Sequence, residues 1–206
     1  MKLILGGHWN KGPEGWTALT ERDQDITRRL RWESNSVDAI FSEHVVEHIN
    51  FFQGLGFMRE ALRVLKPGGI FRVVAPMVDI FTNPFKWPPE ILKRYTQEQM
   101  APYYKAEIDA LQGLGLTLAT DIRPWLVDFL VKKHGHQFCW TSELMRDVLL
   151  KLGFSQAEVS SPGKSFFDQT TCLERTIRGI HAENAEREFG ADFKFDPESG
   201  VVEAKK

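Results

Sequence analysis

SVDAIFSEHVVEHINFFQGLGFMREALRVLKPGGIFRVVAP, Ser36 to Pro76, is the stretch on which the fold turns. Its first seven residues end in VDAIFS (Val37–Ser42), a short apolar run that Ser34-Asn35-Ser36 introduces as a turn, and the run reads as a strand. Phe51, Leu55, Met58, Leu62 and Leu65 then recur at alternating spacings of four and three, one apolar face of a helix. Gly54 and Gly56 weaken its first turn, so the firm part is expected to begin near Phe57. Lys66-Pro67-Gly68-Gly69 stops it, because proline cannot continue a helix and glycine tolerates left-handed backbone. IFRVVAP (Ile70–Pro76) is the most strand-like run in the chain. Strand, helix, turn and strand within about forty residues make a βαβ unit, which implies a parallel sheet with helices on its faces.

The same reading extends outward from that unit. Lys2–Leu5 and Trp16–Thr20 are short strands, with only about ten residues between them. That is the minimum for a parallel crossover with its helix, so either the helix is missing or the connection is one turn long. Residues 79–138 break the rhythm with the proline-rich NPFKWPPE and helical segments near 89–111 and 122–133, as a cap over a site would. Thr141 or Ser142 caps a further helix whose apolar face carries Leu144, Val148, Leu149 and Leu152 and which Gly153 ends. Gln156–Ser160 and the closing GVVEAKK read as strands, whereas 162–198 is polar and irregular. The expected architecture is one α/β domain over 1–206, Rossmann-like and mostly parallel, with one antiparallel strand near the C-terminus. Its N-terminal half is reduced, and 79–137 forms a helical cap.

Composition narrows the function classes. With 206 residues, 26 Lys and Arg against 28 Asp and Glu and a pI near 6.3, the chain is not built for polyanions, so no nucleic-acid partner is expected. No run approaches the roughly 20 apolar residues of a membrane helix. MKLILGGHWNKG is too short an apolar run for a signal peptide, and a cytoplasmic location is expected. Two cysteines, Cys139 and Cys172, do not make a disulfide framework and read as plain thiols.

In an open parallel sheet, ligands bind outside the carboxyl ends of the strands. Gly6-Gly7-His8, Ser42-Glu43-His44 and Pro76–Asp79 stand there, and Asp25 with Ile26 joins them if these two end a short third strand. The order LILGG, GW, DQDI, SVDAIFSEHVVEHI, RVLKPGG (Leu3 onward) resembles the class I S-adenosylmethionine-dependent methyltransferases. It is most similar to their small subgroup in which SvDxixseHvlEH precedes RvLKPGG. The resemblance covers Lys2–Pro76, resumes over His134–Phe154 (HGHQFCWTSELMRDVLLKLGF), and includes the final VVEAKK.

The resemblance implies S-adenosylmethionine as cofactor. Gly6, Gly7 and His8 would lie against its methionine part. The ribose acid falls at Thr20, with Glu21 next to it as the carboxylate able to take the role if the strand has ended there. Asp25, with Ile26 beside it, matches the adenine side, while Ser42, Glu43 and His44 match the segment under the sulfonium. Two residues depart from the pattern: His8 replaces a glycine and Thr20 an acid. They keep open a second reading, a non-catalytic methyltransferase-fold module that binds without turnover.

The acceptor is expected to be a small molecule or a saccharide. A base is needed only for a hydroxyl or a protonated amine; His44 is the first choice, then Glu47, His48 or His136. HVVEH (His44–His48) also fits the H-x-x-E-H zinc pattern, which would set the two histidines on one helix face. With two β-branched valines between them and no third ligand indicated, no metal is assigned. Arg28, Arg29 and Arg31 read as a solvated edge.

Overall fold

Six strands form one sheet in the order β2-β1-β3-β4-β6-β5. They are β1 (Lys2–Leu5), β2 (Trp16–Leu19), β3 (Val37–Glu43), β4 (Leu65–Pro76), β5 (Gln156–Ser160) and β6 (Ser199–Lys205). The computed structural model describes residues 1–6, 12–83, 92–93, 95–116, 122–173 and 199–206. β1 pairs in parallel with β2 and β3, and β3 with β4, whereas β6 runs antiparallel to both β4 and β5. The sheet is thus mostly parallel with one antiparallel strand near the C-terminus, the Rossmann-like class I arrangement expected from the sequence.

The strand interiors are mostly apolar on both faces, as a covered sheet requires, apart from the fully buried Arg72 and Glu203, which pair at 2.6 Å across β4 and β6. One face, with Leu3, Leu5, Ile40, Phe71, Val73 and Val202, packs against α1 (Phe51–Val64) through Phe57, Met58, Ala61 and Val64. α5 (Ser142–Leu152) covers the same face with Met145 and Leu149. A smaller cluster on Ile4, Phe41, Val74 and Val201 lies apart from it, with Trp16, Ala18 and Leu173 against it.

Three local readings change. α1 begins at Phe51, not near Phe57: Asn50 accepts a hydrogen bond from the Gln53 amide and the Gln53 side chain accepts one from the Asn50 amide, a reciprocal cap. Gly54 is there for packing, since a Cβ on it would come within 3.1 Å of the Trp140 ring. The buried stripe of α5 runs through Ser142, Met145 and Leu149, and Leu144 is exposed, although Thr141 does cap the helix and Gly153 ends it at φ 113°. Lys66–Gly69 is a bulge inside β4 rather than a separate turn: the pairing jumps from Val37 opposite Leu65 to Ala39 opposite Ile70. Gly68, at φ 80°, makes that bulge possible.

The connection from β1 to β2 holds no helix among its described residues, 6 and 12–15. Residues 20–35 make turns, and no strand ends at Asp25–Ile26. Beyond β4 come α2 (Val78–Phe81), a π-type segment at Tyr95–Met100, α3 (Lys105–Gly113), α4 (Arg123–Asp128) and a second π-type segment at Phe129–Lys133. Phe81, Met100, Tyr104, Leu126, Phe129 and Leu130 give this stretch an apolar cluster of its own. No helix among the described residues is long and apolar enough to cross a membrane.

Candidate active site

β1 ends at Gly6, which sits at φ 81° and donates its amide to the Leu19 carbonyl at 3.1 Å. A Cβ at this position would lie 1.9 Å from Val45 Cγ2, so only glycine lets the segment after β3 lie against the end of β1. β3 ends in the same place with His44 at φ 51°, a left-handed conformation rare for a residue with a side chain. Its amide is tied to the Val74 carbonyl at 2.9 Å. The forced turn at His44 carries the chain into a single 3₁₀ turn, Val46–His48, before α1.

A cleft of about 1220 Å³ opens between these ends. Its wall runs from Gly6 along Thr20, Glu21, Asp25 and Ile26 to His44, His48, His134 and His136. Its two ends differ in make-up. At the first, the turns after β2 are held by their own carboxylates: Asp23 Oδ2 accepts from the Thr20 amide and hydroxyl at 2.9 and 2.8 Å, and Asp25 Oδ1 accepts from the Thr27 amide and hydroxyl at 2.9 and 2.7 Å. These Thr27 bonds hold the exposed Asp25 carboxyl below its usual range. Because β2 stops at Leu19, neither Thr20 nor Glu21 is bound by strand alternation, and Glu21 turns into the cleft wall.

At the other end stands a cluster of imidazoles around a buried carboxylate. Glu47 is fully buried, its Oε1 lies 3.3 Å from His44 Nδ1 and 3.9 Å from His48 Nε2, and neither carboxylate oxygen has a hydrogen-bond partner among the described residues. The His44 contact is an ion-pair distance with poor hydrogen-bond alignment. The Glu47 carbonyl accepts from the Gln137 amide at 2.7 Å, which brings the 134–138 segment to the cleft. The His48 and His136 rings meet edge to face at 4.9 Å, and the His134 and His136 rings stack at 5.6 Å. Burial, against the pull of Glu47, pushes the His136 imidazole down to about 4, so it is neutral at pH 7. His44 Nε2 lies 3.2 Å from Ser199 Oγ, at the start of β6.

The structure therefore brings Gly6, Glu21, Asp25, Ile26, His44, His48 and His136 to one cleft. Ser42 and Glu43 are buried at the end of β3 and stay behind the wall, and Glu47 lies beneath it. Gly7 and His8 fall outside the described residues. The shared helix face that the H-x-x-E-H zinc pattern would need is not formed: a left-handed residue at His44 and a 3₁₀ turn stand there instead. Gln24, Thr27, Val45 and Ile49 also line the cleft and escaped the sequence reading. Only the Asp25-x-Thr27 spacing, typical of a side-chain-closed turn, pointed to any of them.

A glycine-ended first strand, acidic turns after the second and a cleft at the parallel strands' carboxyl ends stand where an open α/β sheet receives a ligand. Residues 10–73 match the methyltransferase domain family, and the strand order is the Rossmann-like class I arrangement. No curated protein matches it in sequence. Among solved structures it is similar to an Archaeoglobus fulgidus S-adenosylmethionine-dependent methyltransferase (14% identity, 93% of this chain and 68% of that one, TM-score 0.45). A Mesorhizobium loti S-adenosylmethionine-dependent methyltransferase gives 16%, 95%, 72% and 0.41. The complex of a Haloferax volcanii protein with the Trm112 methyltransferase activator gives 11%, 94%, 63% and 0.40.

S-adenosylmethionine is the cofactor of this class, and the residues present fit it. Gly6 lines the cleft at the end of β1, and Glu21 lines it just after β2. The cleft exceeds the roughly 300–1000 Å³ of a drug-sized ligand site.

Proposed function

We propose that the chain transfers a methyl group from S-adenosylmethionine to a small-molecule or saccharide acceptor, and the observation that carries this reading is a single cleft with acidic turns at one end and imidazoles at the other. When bound, the cofactor supplies a methyl already activated on a sulfonium. The end of β1 at Gly6 takes its methionine part, Glu21 accepts from the ribose hydroxyls, and Asp25 with Ile26 flanks the adenine. Ser42 and Glu43, buried at the end of β3, set the path of the segment beneath the sulfonium.

The protein's work is then alignment of acceptor and methyl, with a proton acceptor where the acceptor is a hydroxyl. His44 is the first candidate, because Glu47 at 3.3 Å stabilises its imidazolium once it has taken the proton. His48 and the neutral His136, edge to face with it, line the same end of the cleft. The described helical elements from α2 to Lys133 serve as the cap, and the segment after them brings His134 and His136 to the cleft.

Calorimetric titration with S-adenosylmethionine and S-adenosylhomocysteine tests this first, followed by a screen of hydroxylated acceptors for S-adenosylhomocysteine release. Micromolar binding with release dependent on acceptor is expected. Binding of neither ligand would overturn the reading in favour of the non-catalytic module to which His8 and Thr20 point.

A further inference from the structure

The imidazole end of the cleft contains an arrangement that methyl transfer alone does not require. Glu47 is wholly buried, yet both its oxygens lack hydrogen-bond partners among the described residues. His136 Nδ1 is buried and without a partner in the same sense. A buried carboxylate left this way costs several kcal/mol unless something positive faces it. Among the described residues, the ion pairs of Glu47 run only to His44 and His48, which are charged only when protonated. The ligand-capable atoms of Glu47, His48 and His136 all lie within 4.8 Å of one another.

We infer that Glu47, His48 and His136 form a binding site for a divalent first-row transition ion, zinc, manganese or cobalt in kind. Two imidazoles and a carboxylate suit such ions rather than calcium or magnesium, which take oxygen shells. Bonds of roughly 2.0–2.2 Å would draw the three atoms closer together than they stand now. The half-exposed His48 side chain can make most of that movement, since its Nε2 is 3.9 Å from Glu47 Oε1. His44 is not needed as a ligand: its left-handed backbone turns it toward Ser199. HVVEH by itself indicates no third ligand; the structure supplies one in His136, 88 positions beyond His48.

Three protein ligands leave open positions toward the cleft, where an acceptor's oxygen is the natural further ligand. This last step, which names a hydroxylated acceptor, rests on the methyl-transfer reading; the ion site itself does not.

The test uses the full chain, stripped with a chelator and titrated with Co²⁺, with visible absorption as the readout. One equivalent of Co²⁺ should develop colour that Zn²⁺ then bleaches by displacement. Glu47→Gln and His136→Ala should weaken binding by about 100-fold or more, loss of a direct ligand exceeding the 10–100-fold of a lost outer contact. Should either variant fail to fold by circular dichroism, His48→Ala, at an exposed position, carries the same expectation. Absence of stoichiometric colour, or colour that the variants leave intact, overturns the site. S-adenosylhomocysteine is titrated against the stripped and loaded protein in parallel. Its binding without Co²⁺ binding removes the metal site alone; Co²⁺ binding without it removes the methyl-transfer reading alone.

Discussion

The two ends of the cleft are built on opposite principles. At the cofactor end the polar groups sit on exposed turns, and each turn is closed by its own side chain, Asp23 on Thr20 and Asp25 on Thr27. At the imidazole end the central acid, Glu47, is fully buried on a 3₁₀ turn, and its partners arrive from β3 and from the segment before α5. An exposed, locally closed turn can present hydroxyl-binding carboxylates that stay charged. A buried carboxylate ringed by imidazoles creates a strong local field suited to moving a proton or holding a cation. On the proposed reading, binding and chemistry fall to differently built parts, and substitutions can separate them.

The largest expected effect comes where the two ends meet. Gly6→Ala places a Cβ in the space of Val45 Cγ2, on a stiff β-branched side chain, and does so at φ 81°. Overpacking of this kind costs about 1–3 kcal/mol and left-handed backbone about 1–2 more, so a loss of about 3 kcal/mol is expected. In thermal unfolding that is a fall of roughly 6–12 °C, with S-adenosylmethionine binding abolished. An unchanged melting temperature would show that β1 and the His44–Val46 segment do not meet as described.

Asp25→Ala should break one end and spare the other. A charged hydrogen bond to the adenine side would be lost, weakening S-adenosylmethionine about 10- to 100-fold by calorimetry. The carboxylate is exposed and its bonds are local, so the melting temperature should hardly move. Wild-type affinity in this variant would remove Asp25 from the cofactor site.

How much of this could be read from the chain follows from the range of the interactions. β3, β5 and the apolar run of β4 are legible almost to the residue, since each is an apolar block between turn formers. The start of α1 was misplaced because glycine propensity is a local quantity, whereas Gly54 answers to the Trp140 ring some 86 residues away. Glu21 became a credible ribose partner only once β2 was seen to stop at Leu19. The imidazole cluster was the least legible part. HVVEH has a helical spacing, and nothing local announces that His44 takes a left-handed conformation or that the Gln137 amide binds the Glu47 carbonyl.

The smallest effect tests how the exposed end is fastened to the frame. Glu60, on α1, accepts from the Leu30 amide at 2.8 Å and from Arg63, whose guanidinium also donates to the Leu30 and Trp32 carbonyls at 2.9 Å. This clamp anchors the turns that carry Glu21 and Asp25. The Arg63 side chain holds the Glu60 carboxyl below its ordinary value of 4.5, so the folded state favours the charged form. A depressed carboxyl contributes stability that is complete above the ordinary value and is lost as pH falls through the folded-state value. Urea unfolding should therefore show wild type ahead of Glu60→Gln by about 1 kcal/mol at pH 7, the gap closing as pH falls below 4.5. The variant should also bind S-adenosylmethionine a few-fold more weakly, since its loop pays more of the ordering entropy on binding. A gap constant across pH would mean that the clamp holds through packing alone, and that the cofactor end is as firmly built as the imidazole end.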